Sequence, residues 1–463
     1  MAETNIDQLH PTPPQPKLGI LFLGRKRAGF DPEWGAEIRR RIRGFVDDAG
    51  LEAVIPYDNI ADDPTLRDAI AQCRAADVDA LVITQPTISD GRLAPVAAQV
   101  WDAPLVLWAT PEKPTGEMIS ANSLVGTHVF GATMRQLHRP FEIVYGHPDD
   151  EETRASLLRA ARITSTAERV QRGKVGLIGY HVPGFIDLHA DPLQLSESFG
   201  IQLYHQSVQE FLGSLDDISD EDVEAETKRL AGFGLPYRGD IDESVLPMQA
   251  RYYLGFSRLL EREGLDGLAF RCWPDLPSIT GHWPYLALAT LVSEGKALAM
   301  EGDVDGAICS IIAEGMGLGP VYLSDWLEHD ESSIAIWHTG AAPFQLSEPL
   351  GTEQGPHLTV QFNNKKPTVV DSTIRPDLPV TLFRLWRADG EYHMTAVEGE
   401  TIEPDRHLLA TNGRARVRGV NVREWFDDMV HEGMPHHLCI VQGHHRDALL
   451  RVARTLGLRR HIP

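Results

Sequence analysis

Four carboxylates and a scatter of histidines in the second half of the chain are the residues best suited to chemistry. The stretch Ala299–Asp325 holds Glu301, Asp303 and Asp305 ahead of an apolar helical run, and Asp325 stands 24 residues after Glu301. Carboxylates brought together in space can trade a proton as general base and acid. Asp303 and Asp305 also suit a structural duty, accepting N–H bonds at a helix start and opposing its macrodipole. Asp325 follows Val321–Leu323 at what reads as the carboxyl end of a parallel strand, where open α/β sheets place ligands; a surface turn is the plain alternative. His338 ends the run SIAIWH, His436 and His437 precede the apolar LCIV, and His444 and His445 follow Gly443. No HExxH spacing makes any of them a self-contained metal motif, and an internally bonded imidazole accounts for each taken alone.

The elements that must position these residues read as a βαβ series. Lys17–Leu23, Leu51–Ile55, Val78–Thr84 and Pro104–Ala109 are strand-like, with helical patterns over Trp34–Val46, Leu66–Ala76 and Leu93–Trp101 between them. Strands alternating with helices imply a parallel sheet covered on both faces. Pro148–Gln171 reads as a long helix with four acidic residues in its first turn, bridging to a second α/β series that restarts at Lys174–Gly179 and continues through Gly267–Arg271. From about Ala341 the chain turns to short strands, at 357–362, 380–386, 392–399 and 406–411, with late helices over Val422–Val430 and Asp447–Leu456. The expected organisation is a disordered leader over 1–16, an α/β domain over 17–147, a second over 148–340 carrying the carboxylates, and a β-rich domain over 341–463. The fold class is thus α/β, with two Rossmann-like domains followed by a β-rich one.

Composition narrows the classes of function. The 463 residues carry 43 Lys and Arg against 66 Asp and Glu, a net charge of −23 that repels phosphate backbones and anionic lipid surfaces. Four scattered cysteines, with no CxxC pair, indicate neither a disulfide framework nor a thiolate zinc site. The N-terminus lacks the basic-then-apolar order of a signal peptide and no 18-residue apolar run occurs, so a cytoplasmic protein is expected.

One resemblance connects the scattered residues. Glu301-Gly302-Asp303-Val304-Asp305-Gly306-Ala307 resembles the E-x-D-x-D-G-A signature of the L-fucose isomerase and L-arabinose isomerase family, and Asp325 falls where fucose isomerases have their second metal carboxylate. Arg271-Cys272-Trp273-Pro274 is similar to that family's K-C-W-P strand end, Trp337-His338-Thr339-Gly340 to its W-H-x-G segment, and His436-His437 lies at the place of its C-terminal ligand histidine. The resemblance implies metal-dependent aldose–ketose isomerisation through an enediol. Glu301 and Asp325 would be both metal ligands and the acid/base pair, and His437 the third ligand. His338 matches a ligand of the arabinose branch, whereas an Asp at 325 matches the fucose branch, so His338 is assigned to substrate or metal. Carboxylate and imidazole donors without thiolate favour Mn²⁺, with Co²⁺ or Mg²⁺ as alternatives.

The resemblance also implies a trimer or hexamer in which the first domain of one subunit closes the site of its neighbour. Gln85, Asn122, Arg25 and Trp34, in loops after first-domain strands, are the substrate-binding candidates, and each equally suits an ordinary surface or packing role. Arg25, Lys26 and Arg92 leave room for a sugar with an anionic group at C6. A non-catalytic sugar-binding protein closing around a carbohydrate between α/β domains is the alternative. A nucleotide enzyme is disfavoured, because neither GILFLG nor GLIGYHVPG completes G-x-G-x-x-G.

Overall fold

The computed structural model describes residues 6, 9, 15–26 and 30–463, so most of the expected leader lies outside the described residues. The chain divides into two compact units, Pro14–Arg169 with Arg454–Gly457, and Val170–Ala453 with Leu458–Pro463.

In the first unit, β1 (Leu18–Phe22), β2 (Ala53–Val54), β3 (Ala80–Thr84), β4 (Leu105–Ala109) and β5 (Phe141–Tyr145) form a parallel sheet in the order β2-β1-β3-β4-β5. The apolar runs of β1, β3 and β4 are buried along their whole length and suit strands covered on both faces, whereas the edge strand β5 leaves Ile143 and Tyr145 exposed. Ile20 and Phe22 pack on Ile38, Ile42 and Phe45 of α1 (Pro32–Asp48), while Leu21 and Leu23 face α2 (Asp63–Ala75) and α3 (Leu93–Val100). α4 (Ser123–Gln136), absent from the sequence reading because its apolar positions are diluted by Gly126, Thr127 and Gly131, follows β4, and α5 (Glu151–Gln171) follows β5.

The second unit opens with another parallel sheet, made of β6 (Lys174–Ile178), β7 (Gln202–Gln206), β8 (Gly267–Phe270) and β9 (Leu298–Ala299) in the order β7-β6-β8-β9. Its helices are α6 (Pro192–Phe199), α7 (Val208–Asp216), α8 (Asp220–Ala231), α9 (Leu246–Glu263), α10 (Asp275–Thr280), α11 (Tyr285–Ser293) and α12 (Val304–Met316). After α12 the chain becomes β-rich. β10 (Tyr322–His329), β11 (Ser333–His338), β12 (His357–Val360), β13 (Pro367–Thr373), β14 (Pro379–Ala388), β15 (Glu391–Ile402), β16 (Thr411–Val417), β17 (His437–Gln442) and β18 (Arg459–His461) form one sheet, with α13 (Val422–His431) and α14 (Arg446–Thr455) among them. Along the order β16-β11-β10-β17-β14-β15 the strands return to their start, because β15 also pairs with β16; the six close into a barrel. Closure removes free edges from these strands. The α/β class with a β-rich C-terminal part is therefore the observed architecture.

Two expectations are corrected. Val321–Leu323 does not end a parallel strand; it opens β10, which runs antiparallel to both β11 and β17, and Asp325 sits mid-strand opposite Trp337 and His437. A three-residue apolar run carries no record of its partners, and here the partners lie up to more than 100 residues away. Of the expected strand over 406–411 only Thr411 is in one, as the first residue of β16; 406–410 is the approach to β16, whose alternation of Arg414 and Arg416 with buried Ala415 and Val417 matches a strand with one covered face.

All four cysteines are free and buried, and among the described residues no helix is long and apolar enough to cross a membrane.

Candidate metal centre

Glu301 is placed by the end of β9, at the carboxyl edge of the second parallel sheet. Its backbone is in the left-handed region, φ 63°, followed by Gly302 at φ 76°. A Cβ on Gly302 would come within 2.5 Å of the Tyr180 carbonyl oxygen, so the turn that aims Glu301 requires glycine there. The turn is tied down by Gly302 N–H donating to the Phe270 carbonyl (3.0 Å) and Val182 N–H to the Glu301 carbonyl (3.1 Å). The indole N–H of Trp273 donates to Glu301 Oε1 at 2.9 Å, leaving Oε2 buried without a partner.

The barrel supplies the rest. Asp325 comes from β10, His437 from the facing position of β17, His436 from the residue before it, and His338 from the end of β11. His437 Nε2 lies 3.6 Å from Glu301 Oε2 and 3.5 Å from Asp325 Oδ1; His436 Nε2 lies 3.9 Å from each of the same two atoms. His338 Nε2 is 3.2 Å from His437 Nε2 and 4.0 Å from Asp325 Oδ1. Two overlapping groups, Glu301 with His436 and His437, and Asp325 with His338 and His437, thus have one donor atom each within 4.8 Å of the others.

These residues fit a divalent cation. Glu301 Oε2 and His436 Nε2 are buried polar atoms lacking any hydrogen-bond partner, which is costly unless something else satisfies them. Ligand bonds of about 2.0–2.2 Å put neighbouring donors roughly 3–3.5 Å apart, close to the separations found. Outer carboxylates orient both imidazoles, as is usual for metal-bound histidine. Asp187 Oδ2 accepts from His436 Nδ1 at 2.6 Å, and Asp303 Oδ2 from His437 Nδ1 at 2.8 Å. His338 differs: its Nδ1 accepts the Thr339 N–H at 2.7 Å, so in the neutral ring the proton sits on Nε2. Burial lowers the His338 pKa and keeps that ring neutral, which makes it a hydrogen-bond donor toward the cluster.

The electrostatics are those of opposed charges packed closely together. Burial works to raise the Glu301 carboxyl, but the neighbouring imidazoles of His436, His437 and His338 hold it well below the ordinary range, so it is ionised. Burial disfavours charge on His436, yet Asp187 and Glu301 outweigh it and push the pKa up to about 10. A cation entering the cluster replaces these protons.

Four expected substrate residues belong to the first unit. Trp34 is buried in α1 near His147, ring centroids 6.0 Å apart; Gln85 is buried and accepts the Ser89 N–H at 2.8 Å; Asn122 caps α4 in a left-handed conformation; Arg25 Nε lies 3.4 Å from the Ser89 carbonyl. Every member of the cluster around Glu301 comes from the second unit. His444 and His445 bond to backbone carbonyls of Gly399 and Gln442 and take no part in it. Asp187 went unremarked in the sequence because an Asp after a Phe-Ile pair in a loop carries no spacing signal. Another imidazole group, His393 with His461 and Glu432, has its two rings nearly coplanar (6°) and head to head at 2.9 Å, the arrangement of a shared proton rather than of a chelate.

Residues 332–462 match the family model for the L-fucose isomerase C-terminal domain. The sulfoquinovose isomerase of Priestia aryabhattai is 24 % identical over 447 residues, covering 95 % of this chain and 98 % of its own, and that of Alkalicoccus urumqiensis is 24 % identical over 454 residues with the same coverage. The L-arabinose isomerase of Erwinia tasmaniensis is 24 % identical over 354 residues, 70 % of this chain and 69 % of its own. The chain is therefore similar over nearly its whole length to sugar isomerases, and its C-terminal part matches that of L-fucose isomerase. The E-x-D-x-D-G-A segment acquires a structural meaning here: its glutamate reaches the cluster, its first aspartate orients His437, and its glycine admits the aspartate, since a Cβ on Gly306 would lie 2.7 Å from Asp303 Oδ2.

Proposed function

We propose that this aldose–ketose isomerase is metal-dependent and acts on a hexose bearing an anionic group at C6, with sulfoquinovose as the leading substrate. The observation that carries the metal-dependent reading is the convergence of Glu301, Asp325 and the adjacent His436 and His437, from three separated positions, on a point where two buried donor atoms have no partner. The substrate reading is supported by relatives named for sulfoquinovose, which align with 95 % of the chain, whereas the arabinose isomerase named above aligns with 70 %.

Isomerisation takes the proton from C2 of the open-chain aldose, passes through an enediol, and returns a proton to C1. Glu301, Asp325 and His437, with His436 as a further donor, would hold a divalent cation, best Mn²⁺, whose positive charge opposes that developing on O1 and O2. Glu301 is ionised, with Oε1 committed to Trp273, so Oε2 is the oxygen free to accept a proton. Asp325, on the barrel strand, serves as its partner in the proton transfer. The Nε2–H of His338 is placed to donate to a sugar hydroxyl. In the proposed assembly, a cytoplasmic homo-oligomer, Arg25, Trp34, Gln85 and Asn122 bind substrate across the subunit interface.

Purified protein loaded with Mn²⁺ is to be incubated in D₂O with sulfoquinovose, L-fucose and L-arabinose in parallel, followed by ¹³C NMR of the ketose. Chelator-sensitive conversion of sulfoquinovose, with deuterium arriving at C1, is the expected result. Turnover that persists after exhaustive chelation would sink the metal-dependent reading, and preference for a neutral pentose would sink the anionic substrate.

A further inference from the structure

Asp303 is fully enclosed, and each of its four carboxylate acceptor positions is occupied. Oδ1 accepts Gly306 N–H at 2.9 Å and Arg384 Nη2–H at 2.8 Å; Oδ2 accepts Arg384 Nη1–H at 2.7 Å and His437 Nδ1–H at 2.8 Å. A carboxylate with every lone pair engaged by a donor has no position left for a proton of its own, so Nδ1 of His437 must be the protonated nitrogen. The Nε2 atom, left to carry the lone pair of the neutral ring, lies 3.2 Å from His338 Nε2, 3.6 Å from Glu301 Oε2 and 3.5 Å from Asp325 Oδ1. Arg384 lies on β14, paired through Phe383 with Cys439 of β17, the strand that begins with His437. It is completely buried, and its only ion pair is with Asp303 among the described residues.

A buried guanidinium is expensive to desolvate, and replacing such a pair by apolar side chains is often neutral or stabilising. Fold stability is therefore a poor account of it. We propose, on the reading that Glu301, Asp325 and His437 hold a cation, that Arg384 is a positioning residue for that centre: its forked grip on Asp303 fixes the carboxylate that orients His437. The fork is the point. A lysine supplies the same charge through one ammonium and cannot hold both oxygens in one plane.

The test is Co²⁺ binding to the full chain, followed by titration calorimetry and by the visible ligand-field spectrum, with folding checked by circular dichroism. Wild type should bind one equivalent at the site, and Glu301→Gln should abolish this; if wild type binds none, or Glu301→Gln binds normally, the underlying cation reading fails and not the role of Arg384. Arg384→Met and Arg384→Lys should both fold, lose affinity by about 10- to 100-fold, the usual effect of removing an outer-shell partner, and show a shifted spectrum. Lysine should recover only part of the loss. Should Arg384→Met prove too unstable, Arg384→Lys alone decides, since it keeps the charge. Wild-type affinity and an unchanged spectrum in folded Arg384→Lys would overturn the proposal.

Discussion

At the residue scale, the division of labour around Glu301 rests on which oxygen is free. Trp273 occupies Oε1, and Oε2 faces the histidines. Glu301→Gln keeps the indole bond but replaces a proton-accepting oxygen by an amide, and Asp325→Asn does the same on the barrel side. Each is expected to lower turnover by at least about 10²-fold, the smaller end of general acid–base catalysis, and to weaken metal binding. Steady-state assay with saturating Mn²⁺ separates the two effects, and either variant keeping a tenth of wild-type rate would remove that residue from the acid/base pair. Glu301, Asp325 and the 436–437 pair were legible in the sequence through motif and spacing. Asp187 and Arg384 were not, because each is a common residue type in an unremarkable stretch and acquires its role only by touching a residue far along the chain, His436 at 249 residues from Asp187 and Asp303 at 81 from Arg384.

At the element scale, the turn after β9 and the pairing of β10 with β17 place the two carboxylates. Gly302→Ala adds a methyl at φ 76° and 2.5 Å from a backbone carbonyl, so the loop must move. The expected cost is about 1–3 kcal/mol of stability, the range for a strained backbone position, with a disproportionate loss of metal affinity because Glu301 shifts with it. Urea unfolding checks the first part and Mn²⁺ titration the second; an undisturbed Mn²⁺ affinity would contradict the placement of Glu301 by this turn. Six of the nine parallel strands, β1 to β4, β6 and β8, were readable from the sequence, since burial on both faces writes itself into an apolar run, whereas β5, β7, β9 and α4 were not. The antiparallel course of β10 was not, since Tyr322-Leu323-Ser324-Asp325 reads the same whichever strand lies beside it.

At the scale of the whole molecule, a cation bound by residues from the parallel sheet and from the barrel should couple metal to global stability. Saturation at 100 times the dissociation constant adds about 2.7 kcal/mol to the state that binds. Exhaustive chelation is therefore expected to lower the thermal midpoint of wild type and to leave that of Glu301→Gln unchanged. Because ligands must be deprotonated to bind, metal affinity should fall as pH is lowered, with protons released on binding in unbuffered titration. Sites shared between subunits make a different prediction: mixing a first-domain variant such as Trp34→Ala with Glu301→Gln under dissociating and reassociating conditions should restore part of the activity, and an inactive mixture would put each site within one chain.

What the sequence determined by itself was local: α/β rhythm, a β-rich C-terminal part, and a family signature around Glu301, because periodicity and short motifs depend only on neighbours along the chain. What the tertiary structure decided was convergence. The antiparallel pairing of β10 with β17 brings Asp325 opposite His437, and a fully bonded Asp303 settles which nitrogen of that histidine faces the carboxylates. Those outcomes depend on hydrogen-bond registers between strands more than a hundred residues apart, and no local pattern encodes them.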